Sequence, residues 1–190
     1  MEPLPEVVTS ARLTMRVWRA EDAPALAAAV TRSRDHLVPW MPWASQEWTP
    51  ERHATFITER RAQWAAGGDA TYGVFADNVL VGATGLHTRR GPGVLEIGYW
   101  IHVDHVGRGY ATELSRALTD AAFTVPRIER VEIRHGRANA RSRGVPERVG
   151  FTLESENPGE KLTSGDEGVD CVWATDRAAW QSVRERDVTR

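Results

Sequence analysis

The residues of this chain best suited to chemistry stand around a short glycine turn. Gly107-Arg108-Gly109-Tyr110-Ala111 follows an apolar run, VLEIGYWIHV at 94–103, and opens into helix-forming sequence. Glycines at a strand-to-helix turn let successive backbone N–H groups converge on an anion, and the helix dipole adds partial positive charge at the same place. Arg108 adds a formal charge that suits a phosphate, the alternative being a solvated loop arginine. The turn is not a dinucleotide G-x-G-x-x-G, because position 112 is a threonine, and not a Walker loop, because no Lys-Ser/Thr pair follows. Trp40, Met41, Trp43 and Trp48 crowd a second region, offering π faces to an amine or cation, or simply packing under a loop. Glu156, Glu160, Asp166 and Glu167 make 156–168 acidic, a sign that suits a cationic ligand as well as a solvated loop. His102 and His105 flank the glycine turn, but two histidines three apart without a third ligand make a poor zinc site, and no metal is expected.

The elements that must position these residues follow from pattern. Leu13, Met15 and Val17 alternate with polar neighbours and predict a strand. Glu21-Asp22 opens a helix running to about 34. Residues 35–49, with two prolines, read as a loop or broken helix. Thr49-Pro50 reads as an N-cap with proline in the first turn of a helix that ends near Gly67-Gly68. Strands are expected at 70–76 and 79–87, joined at Asp77-Asn78, and at 94–103. A helix from about 108 to 123, a strand at 130–135, a helix at 140–149, strands at 151–155 and 169–174 and a terminal helix complete the order. The segment 156–168 reads as a flexible loop. The alternation of strands and helices predicts a mixed α/β sheet. The domain layout is a flexible arm at 1–10, one domain at 11–182 and a tail at 183–190.

Composition narrows the class. The chain has 190 residues, 41 % of them hydrophobic and 26 % charged, with 24 basic against 26 acidic side chains and a net charge of −2. That balance lacks the basic footprint of a nucleic-acid binder. No apolar stretch is long enough to span a bilayer, and the first residues do not read as a secretory signal. One cysteine, Cys171, excludes an internal disulfide and a cysteine-based zinc site. A cytoplasmic location, without nucleic acid or membrane as partner, is the expectation.

The run EIGYWIHVDHVGRGYATE is similar to the acetyl-CoA motif of the GNAT N-acetyltransferases, and specifically of their RimJ/RimL-type branch. The pattern Q/R-x-x-G-x-G/A falls on 106–111, with Val106 departing at its first position. Asn139-Ala140-Arg141-Ser142 followed by Val149-Gly150-Phe151 resembles the next family motif. LVPWMPW at 37–43 resembles the substrate-side loop, and Val169-Asp170 the penultimate strand. The likeness runs in order over about 11 to 180. It implies a GNAT fold: a mixed, mostly antiparallel central sheet, splayed at the acetyl-CoA site and flanked by helices.

The resemblance also implies roles. The backbone of Gly107, Arg108, Gly109, Tyr110 and Ala111 would hold the pyrophosphate of acetyl-CoA, the co-substrate. Trp100, Ile101, His102 and Val103 would pair with the pantetheine arm, and Asn139 and Ser142 would also touch CoA. Glu96 would gather the amine proton through a water, its alternative being a surface carboxylate. Ser142 would return a proton to the leaving thiolate, its alternative being a helix-start serine. His135 would relay protons, its alternative being an ordinary strand-end histidine. Many relatives use a tyrosine as the acid, and Tyr72, Tyr99 and Tyr110 are the tyrosines available here. Trp40, Met41 and Trp43 would line the acceptor pocket. The implied activity is direct transfer of acetyl to a primary amine, first of all a protein or peptide N-terminus. The alternatives are a small amine such as an aminoglycoside, polyamine or aminoacyl conjugate, or a CoA-binding regulatory module without turnover. Relatives often pair, so a homodimer is among the expected partners.

Overall fold

The computed structural model describes residues 3–188. Its elements are β1 (Val7–Thr9), β2 (Thr14–Val17), α1 (Ala23–Leu37), α2 (Pro50–Ala65), β3 (Ala70–Ala76), β4 (Val79–His87), β5 (Val94–Ile101), α3 (Tyr110–Thr124), β6 (Arg130–Gly136), α4 (Ala140–Val149), β7 (Thr152–Pro158), β8 (Val169–Asp176) and α5 (Arg177–Val188). The strands form one eight-stranded sheet in the order β1-β2-β3-β4-β5-β6-β8-β7. Of the pairs in this sheet only β5 and β6 run parallel, because α3 carries the chain across between them.

Local chemistry sets many of these boundaries. Thr49 caps α2 by accepting from the Arg52 N–H, and Pro50 follows in the first turn. Asp77 and Asn78 both take positive φ, 49° and 63°, which is the hairpin turn whose twist matches the flanking strands. Gly150 ends α4 at φ 97°.

The two sheet faces are covered differently. Leu95 and Ile97 of β5 pack with Leu114 and Leu118 of α3, Val145 of α4 and Ile133 of β6 in the larger core. Trp100, one residue out of phase, turns to the opposite face, where Trp43 packs with it over Leu26, Val30 and Ile57 of α1 and α2.

Four expectations are corrected. The supposed flexible arm contains β1, and Leu4 is 1 % exposed; its carbonyl accepts from Trp64 Nε1 and that of Pro5 from the Tyr72 hydroxyl. Residues 1 and 2 lie outside the described part. The tail from 183 continues α5 to Val188, with 189 and 190 outside it. Strand β5 stops at Ile101, two residues early, because a 3-10 turn at Val103–His105 bends the chain away. Residues 156–158 belong to β7, and the rest of the acidic loop is docked: Gly165 N–H and Thr163 Oγ1 both donate to the Pro39 carbonyl, at 3.0 and 2.6 Å.

Candidate active site

The glycine turn forms as expected and leads straight into α3, which starts at Tyr110, two residues later than the pattern predicts. Gly107 and Gly109 have φ of 77° and 81°, a region that side chains with a Cβ rarely enter, and a Cβ on Gly107 would meet nothing within 4 Å. Among the described residues the N–H groups of 106–112 have no protein acceptor, the first backbone bond into α3 being Glu113 N to Gly109 O. The turn thus presents a row of free amides at a helix N-terminus, which fits a pyrophosphate. The Arg108 side chain turns back on itself: Nη2 donates to the Asp104 carbonyl at 3.1 Å, and its head stays outside the cleft.

A wedge in the sheet leads away from this turn. The β5–β6 ladder holds from Val94↔Arg130 to Ile97↔Ile133 and then ends, although β5 runs on to Ile101 and β6 to Gly136. The strands part where their far ends would otherwise pair. The cleft that opens there has a volume of about 680 Å³. One wall is Tyr99, Trp100 and Ile101 with the turn residues Gly107, Gly109, Tyr110 and Ala111; the other is Asn139, Ser142 and their α4 neighbours, and Trp40 and Met41 close the top. An extended, amide-rich arm fits such a slot, since the unpaired inner edges of two strands supply donors and acceptors in strand register.

Two hydroxyls meet across the slot. Tyr99 Oη lies 3.0 Å from Ser142 Oγ, bridging β5 and α4. Asn139 Oδ1 accepts from Ser142 N at 3.1 Å and caps α4, which leaves the serine hydroxyl for Tyr99 and the cleft. Burial pushes the Tyr99 phenol up to about 12, against the smaller opposing pulls of its bond to Ser142 and of Arg148. The pair therefore stays protonated across the neutral range and can donate.

Several expected residues lie elsewhere. His102 and Val103 leave the strand, and their amides are taken by the Val81 carbonyl (2.9 Å) and Ser33 Oγ (3.1 Å), so neither amide is left to donate to a pantetheine arm. Trp43 packs edge-on to Trp48 and against Trp100 and does not line the cleft. Glu96 is 4 % exposed, on the sheet face away from α3, with one carboxylate oxygen on Arg89 and the other on Arg90. Burial alone would raise its carboxyl, but the two arginines outweigh burial and hold it low, so both oxygens are engaged as charge acceptors. His135 is 7 % exposed; its Nε2 accepts from Trp173 Nε1 at 3.0 Å and its Nδ1 donates to the Gly136 carbonyl at 2.9 Å. Burial pushes this imidazole down, against the bond to Gly136, and with both nitrogens satisfied inside the protein it cannot relay a proton to the cleft.

Some of the lining carries no signal in the sequence motifs. His36, Arg141 and Arg148 join His105, which flanks the glycine turn, in bringing cationic or titratable groups to the cleft, fitting the phosphates of a nucleotide co-substrate. Arg141 and Arg148 stand seven apart on α4, two turns, so helical spacing after Asn139 is the signal that finds them. Tyr99 is found by alternation: it shares the α3-facing side of β5 with Leu95, Ile97 and Ile101, but beyond the last ladder pair.

Comparison with known proteins places this architecture. The sequence profile of the Acetyltransferase (GNAT) domain matches residues 12–152. The chain belongs to the GNAT acetyltransferase family. It is 32 % identical over 150 residues to YdaF of Bacillus subtilis (strain 168), named as a ribosomal N-acetyltransferase, covering 76 % of this chain and 80 % of that one. Mycobacterium smegmatis RimJ, in complex with CoA-disulfide, superposes with a TM-score of 0.86 at 23 % identity over 98 % of both chains. A Salmonella typhimurium acetyl transferase, described as modifying the N-terminal serine of ribosomal protein L7/L12, gives 0.77 at 22 % identity, over 90 % of this chain and 99 % of that one. These two likenesses carry the fold. This GNAT protein is thus an N-acetyltransferase with acetyl-CoA as co-substrate, and the glycine turn and the wedge are the parts of it that fit CoA.

Proposed function

We propose that this enzyme acetylates the N-terminal amine of a protein or peptide, by direct transfer within a complex of enzyme, acetyl-CoA and acceptor. The observation that carries the transfer chemistry is the Tyr99–Ser142 hydroxyl pair inside the wedge. Acetyl-CoA supplies an activated acetyl thioester, and the hydroxyl pair, inside the slot, can give a proton to the sulfur end of an arm lying there. Direct transfer is favoured because the single cysteine, Cys171, is buried on β8 beside Glu156 and away from the cleft, so no thiol stands ready to carry the acetyl group.

The N-terminal acceptor is supported by two things. The relative at 32 % identity is named for ribosomal N-acetylation. An α-amine has a pKa of about 7.7 to 8.0, so a good fraction of it is neutral at physiological pH and positioning contributes much of the rate. On this reading Trp40 and Met41 form the acceptor's wall, and the enzyme works in the cytoplasm.

An acceptor screen tests it. Acetyl-CoA is mixed with Ser- and Met-initiated peptides, a polyamine and an aminoglycoside, and free thiol is followed. Faster turnover of the peptides is expected. Turnover of the small amines alone overturns the peptide reading, and thiol release in no arm overturns catalysis in favour of a CoA-binding module. Sedimentation of the same preparation reads out the homodimer implied by the resemblance.

A further inference from the structure

The mechanism so far lacks a group to receive the amine proton, and the structure holds one that the family likeness did not bring forward. His87 is the last residue of β4. Its Nδ1 is 2.8 Å from Asp69 Oδ2, and Asp69 Oδ1 accepts from both the backbone N–H and the hydroxyl of Thr88, each at 2.8 Å. Asp69 thus fixes the imidazole orientation with the proton on Nδ1, leaving Nε2 as the free acceptor. Burial alone would raise the Asp69 carboxyl, but the bonds from His87 and Thr88 outweigh it and hold it far below the ordinary carboxylate range.

The ring lies over two glycines. A Cβ on Gly85 would come within 2.7 Å of His87 Nε2, and a Cβ on Gly98 within 3.3 Å. Gly85 and Gly98 face each other in register across β4 and β5, so small residues on both strands keep the space under the ring clear. Gly98 is also the first residue of β5 beyond Ile97, the last to pair with β6. An arm entering the wedge from the glycine turn runs back along β5 and must stop where the ladder closes, which brings its reactive end to Gly98. The α3 side of this point is filled by the larger core, so an acceptor reaches it from the face that carries His87. The imidazole side chain is 19 % exposed, and among the described residues its Nε2 has no hydrogen-bond partner and is not sealed from solvent. The neighbouring charges are Asp69, then Glu96, in register with His87, with its partners Arg89 and Arg90. Glu132 lies beyond on β6, in register with Glu96 and held by Arg130 and Arg134. Both glutamates are paired with arginine, so His87 is the group here whose acceptor atom is open.

We propose that His87, oriented by Asp69, is the general base of the amine acetylation proposed above. The acceptor ammonium gives a proton to Nε2, and the imidazolium that forms is paired with Asp69. The freed nitrogen lone pair makes the N–C bond at the acetyl carbonyl as the C–S bond breaks. The sulfur takes a proton from the Tyr99–Ser142 pair, the second amine proton leaves to solvent and solvent returns one to the pair, and His87 gives its own proton to water after product leaves.

The test is the pH profile of kcat/KM for a Ser-initiated peptide, measured for the wild type, His87→Gln and Asp69→Asn, beside the melting shift given by CoA. His87→Gln is expected to lose about 10²-fold at pH 6.5, the scale of a positioned base, with the loss shrinking as pH passes the amine pKa and the substrate deprotonates unaided. Asp69→Asn is expected to lose about tenfold in the same pH-dependent way and serves as the second reading should His87→Gln fold poorly. Both keep the CoA melting shift. Near-normal activity of His87→Gln at pH 6.5, or a loss that stays flat with pH, overturns the assignment while wild-type turnover leaves amine acetylation standing. Wild-type enzyme without turnover overturns both.

Discussion

The two sides of the sheet at β5 are built on different principles. On the co-substrate side, the glycine turn, the wedge and the start of α4 present mainly backbone: free amides at the N-terminus of α3 and strand edges that part beyond Ile97. On the opposite face, the surface is built of side chains fixed by other side chains: Asp69 on His87, Arg89 and Arg90 on Glu96, Trp43 on Trp100. A backbone site holds one ligand and tolerates sequence change around it. A side-chain site can be reassigned by few substitutions, which suits a fold whose donor is constant and whose acceptors differ.

The largest expected effect breaks the backbone side. Gly109→Val forces a branched side chain into φ 81° at the N-cap of α3, a conformation it cannot hold without shifting the turn whose amides face the cleft. Saturating CoA, at about 100 times its Kd, adds about 2.7 kcal/mol to the stability of the wild type. In the variant that stabilisation should vanish in a thermal melt, with the unliganded fold losing much less. A normal melting shift with CoA would mean that the anion sits elsewhere.

Next are the two hydroxyls, which stand on the co-substrate side and bridge β5 to α4. Tyr99→Phe and Ser142→Ala should each lower kcat by about 10²-fold with CoA affinity little changed, the scale for a lost proton donor. Because the two share one hydrogen bond, the double variant should lose far less than the product of the single losses. With the phenol titrating only near 12, the loss should be flat with pH up to about 9, in contrast to the His87 series. An acetyl thioester with a more acidic thiol should recover part of it. Fully multiplicative losses would separate the two residues into independent roles.

Trp40 tests the acceptor's wall with a smaller effect. Its ring lies against Gly165, whose amide donates to the Pro39 carbonyl, so it couples the acidic loop to the cleft. Trp40→Ala should raise the acceptor KM several-fold and leave that for acetyl-CoA near its wild-type value. Trp43→Ala, whose ring packs on Trp48 and Trp100, should instead lower stability, by roughly 3 kcal/mol for a large ring removed from packing. An equal rise in both KM values for Trp40→Ala would point to general loosening.

What could be read in the sequence follows the same division. The glycine turn, the Thr49 and Asn139 caps and the Asp77-Asn78 hairpin are decided within a few residues, so their types announce them. The early end of β5 is not, since it depends on Ser33 of α1 taking the Val103 amide from seventy positions away. Tyr99–Ser142 spans 43 positions and Trp173–His135 spans 38, and in each a side chain's availability depends on a partner that only folding supplies. β1 is silent in the sequence for a related reason: three residues carry no period, and the segment is held by its pairing with β2 and by the Leu4 and Pro5 carbonyls accepting from Trp64 and Tyr72.

The smallest expected effect on turnover separates the two candidate bases. Glu96 is the base that the family likeness implies, yet both its oxygens are occupied by arginines. If those pairs are its role, Glu96→Gln leaves the shape of the pH profile unchanged and lowers kcat by less than about threefold. Its cost is then in stability, about 1 to 2 kcal/mol, since Arg89 and Arg90 are exposed enough to be rehydrated when the charge goes. The sign with pH follows from the carboxyl being held low in the folded state. Its contribution is fully present above the unfolded carboxylate value of about 4.3 and disappears as pH falls through the lower folded one. The melting temperatures of wild type and Glu96→Gln should therefore differ at pH 7 and converge below about pH 4. If instead the variant loses turnover steeply at low pH while melting like the wild type, Glu96 is the proton acceptor and His87 a spectator held by Asp69.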